Sequence, residues 1–348
     1  MITIDGAARS GSGTIVRHSV ALASLLRKEV RIENIRAGRD KPGLRAQHLK
    51  VVQACCQMCG GVVQNASLGS REITYTPGRR FSGGEYSWDI GTAGSATMMA
   101  QTLLPLACFA RKPSRFRLEG GLFQDFAPSA YHMRFVLLPL LKQMGAQAEL
   151  DIIRPGYVPR GGGILELRVE PAGKLRPLNL AEQGEIRHVE GVALSSHLKE
   201  KRVSQRMAAE CGRVLSSYGY RAEIQQVDDQ SSLQEGAALA IYCHTGSGSR
   251  LGSDRVGRPG RSSESIGRYV AERFIEDVDT GAAVDRYAAD QLIIYTALAE
   301  GLTRYSVPRI TDHVETNLWL IEEFLGARTT TSGNLLEIEG LASREWKN

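Results

Sequence analysis

The run Thr311-Asp312-His313-Val314-Glu315 holds the sharpest prospect of chemistry in the sequence. Asp312 followed three residues later by Glu315 predicts a capping-box-like helix start, with His313 in the first turn of HVETNLWLIEEFL. Peptide dipoles aligned at that end disfavour imidazolium, so the ring stays neutral and nucleophilic near neutral pH. A phosphorylated or adenylylated imidazole gains from the same field. A surface histidine at a helix start carries the same signature, and spacing alone leaves both readings open.

Other runs could hold phosphate. Ser10-Gly11-Ser12-Gly13 and Gly91-Thr92-Ala93-Gly94-Ser95 each lead into an apolar helix, and glycine-rich turns there let backbone N–H groups approach an anion. No Gly-Lys-Ser/Thr follows, so neither is a Walker A loop, and a plain tight turn fits equally. RAGRDKPGLRAQHL gathers Arg36, Arg39, Lys41, Arg45 and His48 in a polar loop that could grip a phosphate chain or an RNA terminus, or could simply be solvated. Tyr287, Asp290 and Gln291 begin a further helix, where an aromatic face beside polar groups can stack on and read a nucleobase, although ordinary capping also explains Asp290. Tyr157-Val158-Pro159-Arg160-Gly161-Gly162-Gly163 is a turn before a strand that its glycines alone explain. Cys56-Gln-Met-Cys59 has metal or redox spacing, but it sits in a helical run stopped by Gly60-Gly61 with no second pair, which favours core packing.

The elements that must position these residues recur in order. A Gly-rich turn with an apolar helix, a strand, a second helix and two strands appear first as GSGTIVRHSVALASLL, VRIENI, Arg45 to Cys59, GVVQNA and REITYT. The order returns as TAGSATMMAQTLLPLACFA, SRFRLEGG, AYHMRFVLLPLLKQM, AQAELDI and GILELRV. It returns again as AADQLIIYTALAEG, TRYSVPRI, HVETNLWLIEEFL, GARTTT and NLLEIEG. The last two passes stand farther apart than the first two, and the excess has its own strand VEGVALSS, helix VSQRMAAECGRVLSSY, strands YRAEIQQV and AALAIYC, the loop GSGSRLGSDRVGRPGRSSES and a helix. This predicts an α+β protein of three repeats, 1–184 with 280–348, interrupted by a small α/β domain at 185–279.

At 348 residues with 42% hydrophobic and 23% charged residues, the composition is that of an ordinary globular chain with a sizeable core. A net charge of +5 is compatible with a polyanionic partner and decides nothing. No apolar run is long enough for a membrane span, and no signal-peptide pattern precedes the first strand-like residues, so a cytoplasmic location without membrane association is expected.

In combination and order, IRAGRDKPGLRAQHL, GTAGSATMMAQTLLP, GYVPRGGG, YAADQL and ITDHVETNLWLIEEFL resemble the RNA 3'-terminal phosphate cyclase family over the whole chain. The resemblance implies three repeats of a four-stranded sheet with two helices, plus a small inserted domain. It also implies ATP-dependent closure of an RNA 3'-phosphate to a 2',3'-cyclic phosphodiester, with RNA as partner and the oligomeric state left open. His313 would attack the α-phosphorus of ATP. Tyr287 and Pro128 would sandwich the adenine; Gln101, Ala288, Ala289, Asp290 and Gln291 would lie at the nucleotide. Arg17, Arg36, Arg39, Arg45 and Gln47 would contact phosphate or RNA, and a divalent metal, magnesium or manganese, would screen the triphosphate.

Three positions depart from that pattern. Where many members have Glu-Gly-Gly-Gly-Gln, with the Glu a metal-binding carboxylate, this chain has Ser10-Gly11-Ser12-Gly13-Thr14, which leaves the metal ligands unassigned. Pro155, preceded by Arg154, stands where a basic residue is common. Leu122-Phe123-Gln124-Asp125-Phe126 replaces a polar run, and Asp125 is a candidate for the missing carboxylate. Two rivals follow: a catalytically inactive cyclase-like protein that binds RNA in processing or ribosome assembly, and an enolpyruvyl-transferase-like enzyme, which needs more repeats and denser small-anion-binding basic residues. Retention of His313 opposes the first, and the repeat count opposes the second.

Overall fold

A computed structural model describes residues 1–78 and 82–341. β1 (Ile2–Asp5) leads through the Ser10 turn into α1 (Gly13–Leu26); β2 (Val30–Glu33), α2 (Ala46–Cys59), β3 (Val62–Gln64) and β4 (Ile73–Thr76) follow. Alternation sets the sheet face: Val30 and Ile32 are buried, while Arg31 and Glu33 point outward and pair with each other. α1 begins at Ser12, whose side chain accepts from Thr14 N–H, and ends where Arg27 turns left-handed at φ 54°. Its apolar face buries Ile15, Val16, Val20 and Leu22, each stabilising the fold by about 1.5–3 kcal/mol. α1 packs on α2.

The second group is β5 (Gly84–Asp89), α3 (Ala96–Cys108), β6 (Ser114–Gly120), α4 (Ala130–His132), α5 (Leu138–Gln143), β7 (Gln147–Arg154) and β8 (Gly163–Glu170). AYHMRFVLLPLLKQM was expected as one helix. It is broken by a π turn at Met133–Leu137, where Leu138 N–H reaches back to Met133. Pro139 follows immediately and has no N–H to donate, which favours the wider turn.

β9 (Asn179–Leu180) precedes a separate sheet built from β10 (Val189–Ser196), α6 (Val203–Ser217), β11 (Ala222–Asp229), β12 (Gly236–His244), β13 (Arg250–Val256) and α7 (Ser263–Val278). β13 lies within the stretch read from sequence as a loop. Its polar residues hid an antiparallel register against β12, from Ala238 opposite Val256 to His244 opposite Arg250. α6 and α7 cover one face of this sheet in a core of its own, whereas Val192, Leu194, Ala238 and Ala240 on the other face join the main core.

The chain then forms α8 (Ala288–Gln291), α9 (Ile293–Ala297), β14 (Gly301–Ser306), α10 (Asp312–Leu325), β15 (Arg328–Ser332) and β16 (Leu335–Gly340). AADQLIIYTALAEG is thus two short helices, not one. The described residues form four four-stranded sheets in a mixed α+β architecture. Three share one order: β1-β2-β4-β3, β5-β6-β8-β7 and β9-β14-β16-β15, each with a parallel first pair and antiparallel pairs after it. The fourth runs β11-β10-β12-β13. α1 also packs on α3 and α10, which brings their N-terminal ends toward one site. No helix among the described residues is long and apolar enough to cross a membrane.

Candidate active site

Thr311, not Asp312, caps α10: its hydroxyl accepts from Val314 N–H at 3.2 Å, which leaves Asp312 as the first helical residue. The hydroxyl reaches the free N–H from an extended backbone that Asp312, already helical, no longer has. His313 therefore stays in the first turn, exposed on the wall of a cavity of about 730 Å³. Partial desolvation holds its pKa below the ordinary histidine value. Arg17 and Arg39 push the same way, and Asp312 opposes them.

Behind the wall, α1 supplies Arg17, whose guanidinium donates to Thr14 Oγ1 at 3.1 Å; desolvation lowers its pKa to about 10 against the attraction of Asp290. Asp290 is pushed up to about 7 by burial, with Arg17 opposing. A Cβ at Gly13 would sit 2.1 Å from His48 Nε2, so any larger residue there would displace the His48 ring. His48 holds the start of α2 by accepting from Arg45 N–H at 3.2 Å, and burial brings its pKa to about 3.

The basic loop is ordered by carbonyl groups. Arg36, left-handed at φ 53°, donates to the carbonyls of Lys41 and Gly43 at 2.7 and 2.9 Å. Arg39 donates to the carbonyl of Ser10 at 2.9 Å. None of Arg36, Arg39 and Arg45 forms an ion pair among the described residues, so their charge remains for an anionic ligand. Gln47 Oε1 accepts from Ser95 N–H at 2.8 Å, fastening α2 to the start of α3.

Gln101 on α3 donates to Gln291 Oε1 at 3.1 Å. Asp285 accepts from the N–H groups of Tyr287 and Ala288, each at 2.8 Å, and from Gly252 at 2.8 Å. It also lies 3.0 Å from His132 Nε2, whose ring meets Tyr287 edge-on at 5.6 Å. This capping role belongs to Asp285 and leaves Asp290 free to face the cavity.

Of the residues singled out from sequence, His313, Gln101, Pro128, Tyr287, Asp290, Gln291, Arg17, Arg36, Arg39, Arg45 and Gln47 all line this one cavity. Ala288 and Ala289 do not; both are fully buried behind it. The turn at Tyr157–Gly163 lies elsewhere: Arg160 donates to the carbonyl of Leu233 at 3.0 Å, and Gln234 to that of Val158 at 2.8 Å. Sequence reading missed Asp254, Arg255, Arg258, Arg261 and Tyr269, which complete the wall. Arg255 lies 3.5 Å over the Tyr269 ring. Leu251 and Val256 are the only large apolar residues of β13, five positions apart, so no alternation marked it as a strand.

These residues do not build a cation site. Among the described residues no group of three or more His, Cys, Asp or Glu side chains could hold a metal. Asp125, the candidate replacement carboxylate, is instead bound by Arg261 through two hydrogen bonds of 3.0 Å each, with Arg258 at 3.9 Å. Two guanidinium groups neutralise it. Cys56 and Cys59 carry free thiols on α2, and Cys59 Sγ lies 3.1 Å from the Tyr75 hydroxyl in the core.

The family model for RNA 3'-terminal phosphate cyclase matches residues 8–331. The chain belongs to the RNA 3'-terminal phosphate cyclase family. An RNA 3'-terminal phosphate cyclase of Pyrobaculum neutrophilum is 34% identical over 344 residues, 98% of this chain and 99% of that one. Proteins of the same description from Desulfurococcus amylolyticus and Nitrosospira multiformis are 38% identical over 328 residues (91% and 90% of the two chains) and 36% identical over 358 residues (100% of each). A solved enolpyruvyl transferase, NikO from Streptomyces tendae, aligns at 14% identity and TM-score 0.27 over 97% of this chain and 81% of its own, too distant to bear on fold or activity. Membership supports the ligase-type enzyme class expected from the sequence.

Proposed function

We propose that this chain uses ATP to convert an RNA 3'-terminal phosphate to a 2',3'-cyclic phosphodiester, with His313 as the covalent nucleophile. The observation that carries the reading is the placement of a neutral-leaning His313 on the same cavity as Tyr287 and three arginines without carboxylate partners among the described residues. An imidazole nitrogen attacks the α-phosphorus, and the bond to the bridging oxygen breaks to release pyrophosphate. The N–P bond then yields AMP to an oxygen of the RNA 3'-phosphate. Finally the 2'-hydroxyl attacks that phosphorus, AMP leaves and the hydroxyl proton passes to solvent. Splitting the reaction this way turns a poor electrophile into one with a good leaving group.

In this reading Tyr287 and Pro128 stack on adenine; Gln101, Asp290 and Gln291 contact the nucleotide; Arg17, Arg36, Arg39, Arg45 and Gln47 meet phosphate or RNA. Ala288 and Ala289 act through the buried backbone that carries Tyr287. A divalent ion would arrive on the phosphate oxygens of ATP. The shared order of three sheets fits three repeats of one unit, with 185–279 inserted in the third; residues 342–348 of the outer part lie outside the described residues. Free thiols and the absence of a spanning helix among the described residues fit a cytoplasmic enzyme.

The test is ATP labelled at the α-phosphate, incubated with wild type and His313→Ala. An acid-labile protein adduct is expected in wild type alone. RNA binding without any adduct would establish the inactive binding protein instead, a reading that Ser10 in place of a metal-binding carboxylate favours.

A further inference from the structure

Phe126 is fully exposed and left-handed at φ 64°, a conformation that a bulky residue adopts only when its surroundings impose it. Those surroundings are explicit. On one side Leu122 and Phe123 N–H groups donate to the Gly156 carbonyl at 2.9 and 3.1 Å, and the Phe123 ring stacks on Tyr157 at 5.6 Å. On the other, Ser129 caps α4 by accepting from His132 N–H at 3.0 Å. Ala130 N–H closes the loop onto the Leu122 carbonyl at 3.2 Å. Asp125, the residue before, is fixed by Arg261, whose side chain is only 8% exposed. These contacts fix the backbone on both sides of Phe126.

The ring is held in water where it contributes nothing to stability, and it lines the cavity that contains His313 and the unpaired arginines. Arg258 and Arg261, on the same wall, are two guanidinium groups against the single Asp125 carboxylate, which leaves that wall net positive. An exposed aromatic face beside cationic groups is the combination that binds single-stranded nucleic acid, since every base presents a π face. The fixed backbone removes part of the ordering cost of that contact.

We propose that Phe126 is a stacking platform for the 3'-terminal nucleobase of the RNA. The proposal rests on the functional reading above and adds a base contact to it. The contact is independent of base identity, because a phenyl face has no hydrogen-bonding edge.

The test measures the Kd of a 3'-phosphorylated oligoribonucleotide for wild type, Phe126→Ala and Phe126→Trp, together with the same RNA lacking its terminal base. Loss of one stack predicts about a tenfold rise in Kd for Phe126→Ala, with Phe126→Trp near wild type. The abasic RNA is expected to bind wild type and Phe126→Ala alike. Phe126→Gly, which suits the left-handed backbone, controls for strain and should match Phe126→Ala in Kd. Equal Kd values for wild type and Phe126→Ala, or an undiminished penalty with abasic RNA, would overturn the proposal. So would a slower His313 adduct with ATP alone in Phe126→Ala and an unchanged RNA Kd, which would assign the ring to adenine. If wild type forms no adduct at all, the catalytic reading fails, while the RNA Kd values still decide the role of Phe126.

Discussion

Asn317 Oδ1 lies 3.1 Å from His18 Nδ1 and joins α10 to α1 directly behind the site. The other end of the same amide donates to the Asp290 carbonyl at 2.9 Å. Asn317 is one turn beyond His313, so both share a helix face and the amide fixes how the nucleophile is presented. Asn317→Ala leaves two groups unpaired in a buried setting. A loss of about 2–3 kcal/mol in urea unfolding is expected, with a roughly tenfold slower adduct step from misplacement of His313. A normal adduct rate in this variant would show that α10 is held by other contacts.

The pH profile of adduct formation should report the cationic surroundings of His313. Its lowered pKa keeps the ring neutral through the ordinary histidine value of about 6.5, so the rate stays flat as pH falls past that value and declines only at lower pH. Arg39 contributes by disfavouring a second positive charge. Removing that charge in Arg39→Gln raises the histidine pKa, and the acid limb of the profile moves to higher pH. A limb that stays in place would assign the shift to desolvation and Arg17.

Where the sequence was most legible, chemistry and local geometry coincided. The helices after the Ser10–Gly13 turn and at His313 form where the sequence placed them, but the second is capped by Thr311, one position before the expected Asp312, because the Thr311 hydroxyl accepts from the third N–H along. The basic loop, Gln101 and Tyr287 line one cavity. What remained hidden was long-range. Arg261 and Asp125 are 136 positions apart, and their pairing depends on β13, whose Arg, Gly, Ser and Asp content resembles a loop. β9 has two residues, too few for any alternation to register. Asp285 gave no signal as an anchor, because two of its four partners, His132 and Gly252, lie close only after folding and the other two are backbone N–H groups.

Magnesium alone should bind poorly. Asp125 is neutralised by arginine, and no three-ligand cluster exists among the described residues, so Mg²⁺ without nucleotide is expected to move Tm by less than about 1 °C. ATP with Mg²⁺ should raise Tm well beyond either component. A shift with Mg²⁺ alone that disappears in Asp125→Asn would show that the ion displaces Arg261.

Asp285 anchors Tyr287 from beneath, and Asp285→Asn separates anchoring from mere bulk. The carboxylate is fully buried, and His132 holds its pKa down against the cost of burial. For His132, burial opposes the charged form, but the Asp285 charge outweighs it and raises the pKa. An amide of the same shape can still accept from Tyr287 and Ala288, but its NH₂ group then faces the Gly252 N–H and the His132 ring, where acceptors are required. Breaking one member of a buried pair costs about 3–5 kcal/mol, which urea unfolding would resolve. Because Tyr287 loses a fixed backbone while His313 keeps its own helix, the KM for ATP should rise more than the maximal adduct rate falls. An equal effect on both would place Asp285 in general support of the fold, not in the posture of Tyr287.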